Sequence, residues 1–378
     1  MLIDTPAGLS DVVERLRGEA RVAVDTEFVW ERTFYPRLGL VQLGTASGET
    51  FLVDPLALDL APLGRLMADP NVQKVLHDAG QDLTILRRAT GVVAENILDT
   101  RLASGFAGLS STLSLRRVLV ETVGVSLAKT ESRSDWLRRP LSDAQIAYAH
   151  DDVRYLVPAA EELLRRIETA GRLAWLAEEL AVLDVPDMTG ESDPDEAYAR
   201  LKGQGRLHPK ERAVLKRLAA WREHEARVRD QPRGHVVSDD ALVAVAQRKV
   251  QDASGAERAG VPKRHIAAVI EAVKTGLNDE PIRVAELPPE DETLGARVDL
   301  LFAFVKGRGV ADGVDPALVA NRADIVALAA DRAPSPETHD ILAGWRGAFV
   351  GADLVRLLRG EIRLRLDPER GLPIVEEA

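Results

Sequence analysis

The sequence predicts an α/β domain, a mixed sheet flanked by helices, followed by a long helical region. Three observations carry this. Strand-like runs cluster early in the chain and then mix with helical ones. Beyond "NILDT" the apolar spacing is helical, and no strand signal returns before the extreme C-terminus. Between the two regions lies "DVPDMTGESDPDE" at 184–196, which holds six acids and no base. Clustered strands followed by alternation suit a sheet covered by helices, and proline, glycine and charge are the composition of a linker. A chain of 378 residues is long enough for two or three domains.

The elements follow in order. "RVAVDTEF", "LGLVQLGT" and "TFLVDP" are three successive strands, β-branched or alternating, with short connections. A helical pattern near 59–68 precedes a further strand, "NVQKVLH". "GQDLTILRRAT" is a helix that Gly91 ends. A long helix is expected from Ser142 to about Ala170, with Ser142 as N-cap and Gln145 at the capping-box position. Beyond the linker two helical blocks, 205–283 and 290–370, are separated by "ELPPEDET". Both contain a helix, a Pro- or Gly-bearing break and a capped second helix, a weak internal repeat. The expected division is 1–183 for the α/β domain, 184–204 for the acidic linker, and two all-α domains at 205–283 and 290–370.

Bulk properties exclude several classes. The chain has no cysteine, hence no disulfide framework, thiolate metal site or cysteine nucleophile. "MLIDTPAGLSDVVERLRG" carries acids where a signal peptide is basic, and no apolar run reaches the length of a membrane span. A soluble cytoplasmic protein is expected. The seven histidines have no zinc-type spacing, and neither a phosphate-binding G-x-x-x-x-G-K-[ST] nor a G-x-S-x-G occurs. The net charge of −11 speaks against a nucleic-acid partner, but its distribution does not: residues 201–250 hold twelve Lys or Arg against six Asp or Glu. That stretch either follows phosphates or is a solvated helical surface.

The strand "VAVDTEFVW" starts buried and then places Asp25 and Glu27 on one face, because strand side chains alternate. Adjacent like charges repel, and burying them unpaired is costly. "HDAGQD" puts His77 and Asp82 at a strand-to-helix junction, and "YAHDDVRYL" sets Tyr148 and Asp152 on one helical face. If sheet and helices pack together, four carboxylates surround one pocket. Such a cluster needs cations, and oxygen donors with incomplete coordination suit Mg²⁺ or Mn²⁺. Two such ions are the usual arrangement for in-line phosphoryl displacement.

"VDTEF", "HDAGQD" and "YAHDD" resemble, in order and spacing, the three exonuclease motifs of the DEDD superfamily, and Tyr148 four residues before Asp152 marks its tyrosine subclass. "ESRSDWLRRPLSDAQIAYAHDDVRYLVP" is similar to the ribonuclease D family, and "LAAWREHEARVRDQPRGHVVSDDAL" resembles its HRDC domain. The last block is similar to that family's second, more divergent HRDC domain. The resemblance implies a ribonuclease H-like mixed sheet flanked by helices, two all-α domains after it, and a 3′→5′ exoribonuclease releasing nucleoside 5′-monophosphates. It implies two divalent cations, Mg²⁺ or Mn²⁺. Asp25 would bridge both, Glu27 and Asp152 would hold the one that activates water, and Asp82 would serve the leaving-group side. Tyr148 would orient the attacking water; tyrosine is a poor base at its normal pKa.

Other residues keep two readings. His77 is either a supporting hydrogen-bond partner of the site or a satisfied residue at a strand end. Asp135 and Trp136 either support Tyr148 and the substrate path or are structural. Phe28 either stacks on the terminal base or plugs the core. The expected partner is RNA with a single-stranded 3′ end, tRNA precursors being the family expectation, with no membrane involved and a monomer acting alone. The rivals are a 3′→5′ DNA exonuclease of the same superfamily and, from another class, a catalytically inactive nucleic-acid-binding adaptor. Every motif residue precedes 205, so a fragment ending there is expected to keep the site.

Overall fold

Val22, Ala23 and Val24 are almost completely buried, and they open the central strand of the sheet. The computed structural model describes residues 2–127, 131, 134–184, 193–283 and 292–378. Residues 185–192 of the expected linker and most of "ELPPEDET" lie outside the described residues. Six strands form one sheet: β1 (Leu2–Ile3), β2 (Arg21–Val29), β3 (Arg37–Thr45), β4 (Thr50–Val53), β5 (Gln73–Leu76) and β6 (Ile97–Asp99), in the order β1-β4-β3-β2-β5-β6. β4 is antiparallel to β3 and parallel to β1, while β5 is parallel to both β2 and β6. The sheet is therefore mixed, as expected. β1 and β6 are too short to show a period in the sequence.

The helices are α1 (Pro6–Leu16), α2 (Gly64–Met67), α3 (Gly80–Thr90), α4 (Thr100–Phe106) and α5 (Leu115–Val123). Gly91 ends α3 with a left-handed φ of 77°. The single long helix expected from Ser142 is two, α6 (Asp143–Arg154) and α7 (Leu156–Thr169), with Tyr155 between them. Pro158 explains the break: it has no N–H for the carbonyl four residues back, and its ring clashes with that carbonyl. The capping box at Ser142 is present, with Gln145 N–H donating to the Ser142 hydroxyl and Ser142 N–H donating to Gln145 Oε1. α8 (Leu173–Leu180) completes this series.

α6 lies close against the sheet. A Cβ on Gly44 of β3 would stand 2.6 Å from the Val153 carbonyl oxygen, so only glycine permits this approach. Thr50 of β4 and His150 of α6 hydrogen-bond at 2.8 Å. This contact fixes the helix that carries Tyr148 and Asp152.

The described residues fall into two compact units, one of 2–27, 39–184 and 292–378, the other of 28–38 and 193–283. In the first, Leu301, Phe304, Leu328, Trp345 and Leu354 share one apolar core with Ala103, Phe106, Val153 and Leu156. The segment 290–370, read from the sequence as a helical domain of its own, thus packs into the core of the α/β region. An amphipathic helix shows an apolar stripe without showing what covers it. The segment ends in a strand, β7 (Ile362–Leu366), which pairs antiparallel with β8 (Pro373–Glu377) beyond it, at the extreme C-terminus. The second unit is helical, built on α9 (Pro209–Val228), and its core joins Leu215, Leu218, Leu242, Val245 and Val269 to Phe34. No helix among the described residues is long and apolar enough to cross a membrane.

Candidate active site

The site begins where β2 outruns its neighbour. The last β2–β5 pair is Ala23 with Val75, so Asp25 and Glu27 lie beyond the paired stretch. α6 presents Tyr148 and Asp152, one helical turn apart, to this part of the strand. Asp25, Glu27 and Asp152 each offer a carboxylate oxygen, all within 4.8 Å of one another. From α3 comes Asp82, whose carboxylate accepts a short hydrogen bond from the Thr26 hydroxyl. The charge of Asp82 acts on both Asp25 and Glu27.

The electrostatics are those of acids packed together. Burial, then the charges of Asp82, Asp152 and Glu27, hold the Asp25 carboxyl well above the usual range. Burial and the charges of Asp152 and Asp82 push Glu27 up to about 8. Asp152 rises to about 7 and Asp82 to about 6, burial being the main cause for each. The Tyr148 hydroxyl donates to Asp152, and burial together with the nearby acids pushes its pKa well above the ordinary phenol value. Tyr148 is therefore a neutral hydrogen-bond donor. A group of this kind, all oxygen and short of positive charge, is suited to a divalent cation.

Trp136 is buried against Tyr148, with ring centroids 6.1 Å apart. Its backbone lies on Gly39 so tightly that a Cβ there would sit 2.7 Å from the Trp136 oxygen. The segment is clamped by Arg139, which donates to Asp54 at 2.7 and 2.6 Å, to the Gly39 carbonyl at 2.7 Å and to the Trp136 carbonyl at 2.9 Å. Burial opposes ionisation of Asp54, but the Arg139 guanidinium and the backbone N–H groups of Leu56 and Ala57 together hold the carboxyl below its usual range. Asp135 is exposed and accepts from the Leu137 N–H, a turn-forming contact. Phe28 is half-buried.

His77 is not one of the clustered donors. Its Nε2 donates to the Leu113 carbonyl at 3.1 Å, its Nδ1 lies 3.0 Å from the Thr100 hydroxyl, and burial lowers its pKa. The Nε2–H is thus used in holding the end of β5. Sequence reasoning missed Thr26, Asp54 and Arg139. Thr26 had one signal, a polar residue on the face of β2 opposite the two acids. The Asp54–Arg139 pair spans 85 residues and had none.

The basic stretch 201–250 offers less free charge than its composition suggests. Lys216, Arg217, Arg222, Arg227, Arg229, Arg233 and Lys249 all form ion pairs with acids of the same unit.

A mixed sheet with acids from β2, α3 and α6 converging at the end of its central strand defines a 3′→5′ exonuclease. Comparison with known proteins agrees: residues 1–168 match the family model described as 3′-5′ exonuclease, and residues 211–273 match that of the HRDC domain. Ribonuclease D of Desulfotalea psychrophila is 37% identical, covering 92% of this chain and 96% of its own length. Ribonuclease D of Acidiphilium cryptum is also 37% identical, over 96% of this chain and 94% of its own length. The crystal structure of Escherichia coli RNase D matches with a TM-score of 0.83 at 27% identity, covering 95% of this chain and 98% of that one. The chain belongs to the ribonuclease D family, and it is a 3′→5′ exoribonuclease.

Proposed function

We propose that the chain is a two-metal exoribonuclease that shortens single-stranded 3′ ends, those of tRNA precursors among them, and releases nucleoside 5′-monophosphates. The observation that supports this most is the mutual approach of Asp25, Glu27 and Asp152 within 4.8 Å. Burial raises the pKa of all three, and the charges of Asp82 and Asp152 raise Asp25 and Glu27 further, so the folded chain disfavours their ionisation. Divalent cations relieve that repulsion, and the oxygen-only donor set fits Mg²⁺ or Mn²⁺. When bound, such ions supply a water nucleophile near neutral pH and stabilise the departing 3′-oxyanion.

The chain's own residues have separable duties in this reading. Asp25 would serve both ions, Glu27 and Asp152 would hold the one that supplies the nucleophile, and Asp82 would serve the other. Tyr148, neutral and donating to Asp152, orients the attacking water and takes no proton. Trp136, seated between Gly39 and Tyr148, keeps that ring in place. The E. coli relative is an exoribonuclease involved in structured RNA processing, which favours a folded RNA with a free tail as the substrate here. Asp135 and Phe28 are proposed contacts near the terminal nucleotides.

The test uses 5′-labelled RNA and DNA of one sequence, each with a short single-stranded 3′ tail beyond a duplex. Attack on a phosphate does not itself need a 2′-hydroxyl, so sugar preference must come from contacts around the last nucleotides. The expected result is stepwise RNA shortening with 5′-monophosphate release, a stall near the duplex, and much slower DNA cleavage. Faster DNA degradation would overturn the substrate assignment. Tight binding with no cleavage, in Mg²⁺ and Mn²⁺ alike, would overturn the catalytic one.

A further inference from the structure

The turn that aims Asp82 is held from outside its own helix. α3 has no side-chain cap: its N-cap residue is Ala79. Just before it, Asp78 adopts a left-handed φ of 64°, which a non-glycine residue keeps only where its surroundings enforce it. The enforcement comes from the end of β6. Leu76 pairs with Asp99 in the sheet, so the Asp99 side chain emerges beside the point where the chain leaves β5. Its Oδ1 accepts from Asp78 N–H at 3.0 Å and from Arg101 N–H at 2.8 Å, and its Oδ2 accepts from Ala79 N–H at 2.9 Å. One buried carboxylate therefore caps α4 and fixes the start of α3 at once.

The two residues after Asp99 continue the grip. The Thr100 hydroxyl donates to the Leu76 carbonyl at 3.0 Å and lies beside His77 Nδ1, while Arg101 Nη1 reaches Asp78 Oδ1 at 2.5 Å. Residues 99–101 thus hold all four residues from Leu76 to Ala79. Asp82 is the third residue of α3, within the turn whose orientation depends on that start. Its other hold is the Thr26 hydroxyl.

We infer that Asp99 is a positioning residue for catalysis: it sets the β5–α3 turn so that Asp82 faces the carboxylates of β2 and α6. This rests on the two-cation reading of the site. Asp99 touches neither substrate nor ion in this account; it acts through the backbone of Asp78 and Ala79. Replacing it should weaken one cation and leave the other, because Asp25, Glu27 and Asp152 stand on β2 and α6.

The experiment is calorimetric titration of the full, metal-free chain with Mn²⁺, alongside kcat, KM and Tm. Asp99→Ser keeps a capping oxygen for α4 but is too short to reach the turn. Asp315→Asn is the control, since Asp315 likewise accepts backbone N–H groups, from Ser111 and Ala317, in the same unit. Wild type should bind two ions. Asp99→Ser should bind one of them about ten- to a hundredfold more weakly, with kcat reduced, KM for RNA little changed, and activity partly restored by high Mn²⁺. Asp315→Asn should lose Tm and keep both ions. Two ions bound by Asp99→Ser as tightly as by wild type, or losses that merely track Tm as in Asp315→Asn, would overturn the inference. A wild type that binds no Mn²⁺ would instead sink the two-cation reading. If Asp99→Ser does not fold, the isosteric Asp99→Asn puts an NH₂ against one of the turn's N–H groups and is judged by the same outcomes.

Discussion

Glu27 and Glu223 are both glutamates drawn away from water, and the protein treats them in opposite ways. Glu223, on α9, is 2% exposed and accepts from Arg233 at 2.5 and 2.7 Å and from Arg227 at 3.3 Å. Burial alone would raise its pKa, yet the two arginines outweigh burial and hold it below the usual range. Glu27 is surrounded by Asp25, Asp82 and Asp152, and its pKa is pushed up to about 8. Arg116 brings a little positive charge to Asp152, the weakest of the influences on that residue. For Glu223 the counter-charge comes from the chain's own arginines. For Glu27, in the two-metal reading proposed above, it would come from cations in solution.

The comparison would break most visibly at Asp25. Asp25→Asn should lower exonuclease turnover by about a thousandfold or more while raising the Tm of the metal-free protein, since one repulsive charge is removed. Single-turnover assays in Mg²⁺ and a thermal melt in chelator check both signs. A smaller effect is expected at Tyr148. Tyr148→Phe removes the donor to Asp152 and should reduce kcat by about a hundredfold, as loss of positioning does, with KM and Tm little altered. Smallest is Glu223→Gln, which should cost about 2 kcal/mol of stability in the unit it belongs to, the worth of a hydrogen-bonded charge pair. Urea melts check it, and the loss should not respond to Mg²⁺. A stabilised Glu223→Gln would show that the two glutamates are not opposites.

How much of this was legible in the sequence follows from the range of each signal. Asp25 with Glu27 and Tyr148 with Asp152 were visible because strand and helix periods put neighbours on one face. The close approach of α6 to the sheet was not, since Gly44 in "LGLVQLGT" looks like any strand glycine until Val153 is seen against it. The break at Tyr155 was readable from Pro158, but a proline in the first turn of a helix also reads as ordinary helix. Least legible was the fate of the C-terminal block. Phe304, Trp345 and Leu354 share a core with Phe106, so a fragment ending near 205 keeps every motif residue but loses part of its packing. Such a fragment should be poorly soluble or only partly folded, in contrast to the self-sufficient domain its motifs suggest. The basic stretch kept two readings in the sequence, and the ion pairs of seven of its Lys and Arg side chains, two of them with Asp195 and Asp279 outside the stretch, favour the solvated surface.

The most direct test of the central claim is the melting temperature with and without Mg²⁺ across pH 5 to 8. Folding raises these carboxyls from 4.5 to about 8 for Glu27, and from 3.8 to about 7 for Asp152 and about 6 for Asp82. Below the unfolded values both states are protonated and the cluster costs nothing. As pH rises the unfolded chain ionises first, so the metal-free fold loses stability until pH passes the folded values near 8. Bound cations favour the ionised cluster and cancel that loss. The account predicts a Mg²⁺-induced rise in Tm that is small at pH 5 and grows steadily toward pH 8, and that shrinks in Asp25→Asn. A rise that is absent, or that has the same size at every pH, would contradict it.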